Sequence, residues 1–382
     1  MNKYNFDEIA KRRNTHSMKW DVLDNELPMW VADMDFKVLP EIKEALINRV
    51  NIEAYGYNDV PNEYFDAYIH WWSTYHNVNL KRENLAFSCG VISSIDVIFK
   101  TLLKKDDEIL IFSPNYNVFY SCIKNNNLKP IIYDFEYSNY SYSLDFGKIE
   151  KLISKNKIKA LLLCNPHNPI GKIFTVDELN KIINLCQKYN ILLISDEIHS
   201  DIVKPGKKYN SVLLFNNYKN IVALLSPSKA FNLAALHSSV IASFDNELLS
   251  TLQNALYKED VGEPNFFAID PVIASYKYGK RYNEELNEYI FNNKEYFSSY
   301  IKRYIPSIHV IESDATYLIW IDISSLNIDS VSFCKDLRKK TGLYISHGYQ
   351  YGENGKYFVR INVATSRSNV IDCLNRLNKY IN

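Results

Sequence analysis

Between about residues 84 and 245, short apolar runs alternate with stretches whose apolar positions recur three and four apart. The runs predict strands over Leu85–Ser88, Ile109–Phe112, Ile131–Phe135, Ala160–Cys164, Ile191–Ile194, Ile221–Leu225 and Val240–Phe244. The stretches between them predict helices. Ile95, Ile98, Phe99 and Leu102 form one helical stripe, and Leu179, Ile182, Ile183 and Cys186 form another. Thr175, with Glu178 three residues on, predicts a capping box at the start of the second helix. Strand–helix alternation of this kind predicts an α/β fold with a mainly parallel seven-stranded sheet covered by helices.

After residue 280 the pattern changes. A long helical stretch from Tyr282 to about Tyr304 precedes an apolar strand, 315–323. A helix near Val331–Thr341 and a strand over 356–364 follow. These predict a smaller α+β domain over 281–382, a large domain over 46–280, and an N-terminal segment, 1–45, packing with the small domain.

The chain has 382 residues, 47% of them hydrophobic, which is ample for a packed core. Lys plus Arg equals Asp plus Glu at 44 each, so no basic excess exists to neutralise nucleic-acid phosphates. No apolar run approaches the ~20 residues that a membrane span needs, and the N-terminus lacks the apolar core of a signal peptide. Six cysteines without a C-x-x-C pair fit a reduced, cytoplasmic setting.

In open α/β sheets, ligands bind beyond the carboxyl ends of the strands. The segments there are unusually polar. They are Cys89-Gly90-Val91-Ile92-Ser93, Ser113-Pro114-Asn115-Tyr116, "NPHNPIG" (165–171), "SDEIHSD" (195–201) and "SPSKAFN" (226–232). Pyridoxal 5'-phosphate (PLP) would use such a set. Its aldehyde needs a lysine, and Lys229 is the candidate. Its ring nitrogen needs a carboxylate, which Asp196 offers. Its phenolic oxygen needs a donor, which Asn168 offers, and Tyr116 can stack on the ring face. Its phosphate needs backbone N–H groups at a helix start and hydroxyls, which Gly90, Val91, Ile92, Ser226 and Ser228 can supply. Each piece alone has a plainer reading. A lysine after a strand is usually solvated, Asn-Pro is a turn signal, and Asp196-Glu197 could be a loop pair or a metal ligand. His167 and His199 lack a third ligand at useful spacing, so no metal is expected. Joint occurrence at successive strand ends lifts the PLP reading above these.

"NPHNPIGK", "SDEIHSD" and "SPSKAFN" resemble the motifs of the fold-type-I PLP enzymes, aminotransferase class I/II. "RRNTHSMKWD" (12–21), "MWVADMDF" (29–36), "YGY" (55–57) and "GYQYGENGKYFVRINVATSR" (348–367) resemble the MalY/PatB branch, the cystathionine β-lyases. The resemblance implies that Lys229 carries the cofactor, with Tyr116 and Asp196 beside it in catalysis. His199 and His237 join the cofactor contacts, and Tyr57 reaches the phosphate in a neighbouring subunit of a homodimer with shared sites. Arg360 clamps the substrate carboxylate, with Ala32 and Asn168 beside it. The implied activity is β-cleavage of L-cystathionine or related S-substituted cysteines to thiol, pyruvate and ammonia. Two alternatives stay open: an aminotransferase using a keto-acid acceptor, and a PLP-loaded regulatory protein that binds a transcription factor. The chain departs from the branch pattern at His237, Ala235, Tyr209, Phe174 and Ser366.

Overall fold

The computed structural model describes residues 3–382. A central sheet contains β1 (Leu85–Ser88), β2 (Glu108–Ser113), β3 (Lys129–Asp134), β4 (Ile158–Cys164), β5 (Leu192–Asp196), β6 (Ile221–Leu225) and β7 (Ser239–Ala242). Its spatial order is β1-β7-β6-β5-β4-β2-β3. All neighbours run parallel except β7, which is antiparallel to both β1 and β6. The seven expected strands are present, two with the expected ends and the others shifted by at most two residues. The near-continuous apolar runs follow from cover on both faces. Along β4, Leu161 and Leu163 enter one core, while Ala160, Leu162 and Cys164 enter the other. The edge strand β3 instead leaves Lys129, Pro130 and Ile132 exposed and buries Tyr133.

Helix α1 (Val91–Leu102) follows β1, and α2 (Val176–Tyr189) precedes β5. Helix α2 starts on the expected box: Thr175 Oγ1 accepts from Glu178 N, and Glu178 Oε2 accepts from Thr175 N. A long helix α3 (Lys280–Tyr304) leads to a second sheet. Its strands are β8 (His309–Val310), β9 (Leu318–Asp322), β10 (Ser346–His347) and β11 (Phe358–Asn362), in antiparallel order β8-β9-β11-β10.

The N-terminal segment packs on the second sheet and its neighbouring strand. Leu27–Pro28 pairs with Leu343–Tyr344, and Asn362 N donates to Met29 O. Asn362 Nδ2 then holds the carbonyls of Val31 and Asp33. Arg12, Lys19 and Trp20 converge on Asp33 and Asp35, with Lys19 Nζ 2.9 Å and Trp20 Nε1 2.7 Å from Asp35 Oδ1. Two N-terminal motifs thus form one buried charge network, and Ala32 is held in its middle. No helix among the described residues is long and apolar enough to cross a membrane.

Candidate active site

A cavity of about 390 Å³ opens at the carboxyl ends of the parallel strands, a volume typical of small-ligand sites. Its lining includes Gly90, Val91, Ile92 and Tyr116. Asn168, Asp196, His199, Ser226, Ser228, Lys229, His237 and Ala32 also line it. Arg360 reaches the same place from β11 through Asn168, and Tyr57 lies elsewhere, fully exposed.

Lys229 stands where β6 ends because the following turn is tightly tied. Ser226 Oγ donates to Ser238 O and accepts from Ser228 N. That use ties up the Ser226 hydroxyl proton within the protein. Asn232, at φ 59°, donates through Nδ2 to Met34 O and Phe36 O. Lys229 Nζ donates to Ala32 O at 2.8 Å. Burial lowers the amine's pKa, and the charge of Arg360 lowers it further, against opposing pulls from Asp33 and Asp196.

Asp196 and Glu197 divide sharply. Glu197 is fully enclosed and satisfied by Ser195 Oγ, Ser211 Oγ and Val212 N at 2.6–3.0 Å. Asp196 accepts from Ile198 N at 3.1 Å and otherwise faces the cavity. Burial pushes its pKa up to about 7, since a desolvated carboxylate lacks a cation strong enough to hold its charge. His199, buried and with Nδ1 unpartnered, is held neutral by burial and by the cations Lys229, Arg360 and Lys294.

Arg360 Nη1 donates to Asn168 Oδ1 at 3.1 Å, and Nη2 donates to Trp30 O at 2.9 Å. Because guanidinium can only donate, the amide orientation of Asn168 is fixed, and its NH₂ is the end left over. Arg360 Nε is buried and unpartnered, and the guanidinium lies 4.8 Å from the Tyr351 ring centroid. Both faces of β11 are buried, so Arg360 is no member of a solvated polar face. Tyr116 is held protonated, its pKa pushed up to about 12 by burial. At Gly90, with φ 155°, an added Cβ would meet open space, and α1 begins at Val91.

These features fit PLP. A buried carboxyl without a cation suits a protonated ring nitrogen. A free amide NH₂ suits a phenolate oxygen, and a helix start suits a phosphate. The near-continuous apolar run over 315–323 concealed Tyr317, whose hydroxyl donates to Ala32 O, the acceptor of Lys229, at 2.8 Å. Cys164 lines the cavity floor, where burial holds its thiol well above the usual range.

Known proteins resemble this chain over nearly its whole length. The cystathionine β-lyase PatB of Bacillus subtilis is 30% identical over 98% of both chains. Protein MalY of Escherichia coli is 30% identical over 96% of this chain and 95% of its own. A PLP-bound structure from Clostridium difficile 630, provisionally assigned as an aminotransferase, is 36% identical with a TM-score of 0.95. That likeness covers 99% of this chain and 100% of that one. Fold and site together define a fold-type-I enzyme whose cofactor is PLP. Residues 27–377 match the aminotransferase class I and II model, and the chain belongs to that family, within its MalY/PatB group of C–S lyases.

Proposed function

We propose that this chain is a carbon–sulfur β-lyase that cleaves L-cystathionine or related S-substituted cysteines to thiol, pyruvate and ammonia. One observation carries the reading. Lys229, Asp196 and Asn168 line one cavity, with Arg360 bonded to Asn168, in a chain collinear with a cystathionine β-lyase. PLP, when bound, supplies an aldehyde for the substrate amine and a ring that draws electrons from Cα. Asp196 would hold a proton at the ring nitrogen, and Asn168 would donate to the ring oxygen. Tyr116 would face the ring, and the start of α1 with Ser228 would hold the phosphate. Arg360 binds the substrate carboxylate through its spare donor capacity.

Lys229, whose pKa is lowered by burial, takes the Cα proton. The Cα electron pair then forms the Cα–Cβ double bond as the C–S bond breaks, and the thiolate leaves. We further propose a homodimer in which Tyr57 completes the phosphate site of the partner subunit. The six free cysteines favour a reduced compartment.

The test is incubation with PLP and L-cystathionine without any keto acid, assaying free thiol and pyruvate together. Both should appear at a catalytic rate. Neither appearing, with amino transfer on adding a keto acid, would replace the proposal with the aminotransferase reading.

A further inference from the structure

Lys294 lies midway along α3 and is only 6% exposed. Its Nζ donates to Ser313 Oγ at 2.8 Å and to Ala315 O at 3.0 Å, both neutral acceptors. Its ammonium also lies 4.9 Å from the Phe291 ring centroid. A lysine so placed loses hydration without gaining a bonded carboxylate, which is costly for its charged form. Burial lowers its pKa to about 7, and the neighbouring charges are Asp314, which raises it, and Lys204, which lowers it. An uncharged amine has two N–H donors, which matches the two acceptors present.

The turn it holds, 313–315, touches three parts of the active site. Gly171 O, on the loop that carries Asn168, accepts from Asp314 N at 3.1 Å and Ala315 N at 3.0 Å. The approach is so close that a Cβ on Gly171, at φ 65°, would lie 2.4 Å from Ser313 Cβ. On the other side Ala315 bridges Val203, Lys204 N donates to Asp314 O, and Thr316 N donates to Ile202 O, on the segment that follows His199. Next in the chain, Tyr317 donates to Ala32 O, the acceptor of Lys229.

We infer that Lys294 is a positioning residue: by pinning the 313–315 turn, it holds the Asn168 and His199 loops in register around the amino-acid substrate. The inference rests on the reading that those loops line the substrate site. It assigns Lys294 no contact with substrate or cofactor.

The test compares the PLP-loaded wild type with Lys294→Met, which keeps the bulk and removes the N–H donors. Amide hydrogen exchange over 165–171 and 199–204 should accelerate about tenfold or more, as expected for loops released from a packed junction. The KM for L-cystathionine should rise about tenfold while kcat changes less than about threefold, the signature of weakened substrate binding at loops out of register. Unchanged exchange at both loops in a folded, PLP-loaded variant would overturn the inference, even if melting temperature falls. If Lys294→Met does not fold, Ser313→Ala, which removes one acceptor, decides by the same exchange comparison. If the wild type does not turn over cystathionine, the lyase reading fails, and the exchange comparison still decides the role of Lys294.

Discussion

Asp196 and Glu197 are adjacent, both buried, and chemically alike, yet only Asp196 faces the cavity. A strand end turns successive side chains to opposite sides. Glu197 takes the side lined by Ser195 and Ser211, and Asp196 the open one. A carboxyl with a raised folded pKa is stabilising while protonated, and that contribution is lost as pH rises through about 7. Cofactor-free wild type should therefore lose stability from this group between acid pH and about 7. Asp196→Asn should remove that loss and cut turnover by roughly 10²-fold or more. Parallel pH–melting profiles for the two cofactor-free proteins would count against the assignment. Arg360 offers a second case. Arg360→Ala should lower kcat/KM by about 30-fold or more, equivalent to roughly 2 kcal/mol, chiefly through KM. Steady-state kinetics with cofactor saturating would show it. Lys229, Asp196 and Asn168 stood out as candidates in the sequence because each lies within four residues of the end of an apolar run. Lys294 and Tyr317 were not, because each sits within an ordinary helix or strand pattern and gains its role from a distant turn.

Among the elements, periodicity predicted type and order well, since each strand of the central sheet is covered on both faces or is a regular edge. It gave no sign that β7 runs against its neighbours, because direction depends on the connection and not on side-chain pattern. Helix ends follow local chemistry more closely. Thr175 and Glu178 cap α2 reciprocally, and α2 contributes nothing to the cavity. Thr175→Ala should cost about 1 kcal/mol of stability and leave kcat/KM unchanged. Chemical denaturation beside steady-state kinetics would test both halves. Ser366, where the branch pattern has proline, serves as the N-cap of the last helix, Arg367–Ile381, through Asn369 N. That departure is locally compensated.

For the whole molecule, the segment over 51–60 matters most. Ile52 and Tyr55 are each about half exposed, and Tyr57 is fully exposed. Tyr55 packs edge-on against Phe266, which Arg49 covers at 3.7 Å. Exposed apolar and aromatic side chains of this kind fit contact with a second copy. The protein should sediment at twice its 44.6 kDa chain mass, and Tyr57→Ala should weaken PLP retention about tenfold while the dimer persists. A monomer that retains PLP fully would refute the shared site.

The sequence by itself determined the class of fold, the order of its strands along the chain, and the chemistry available at their ends. Those depend on local periodicity and on residue types that few environments tolerate. Only the tertiary structure decided which of two carboxyls faces the ligand, how Arg360 orients Asn168, and how the N-terminal network holds Ala32 against Lys229. It also decided why a lysine is buried beneath the 313–315 turn. Each of these joins residues far apart in the chain, and hydrogen-bond direction and desolvation act only after the fold has brought them together.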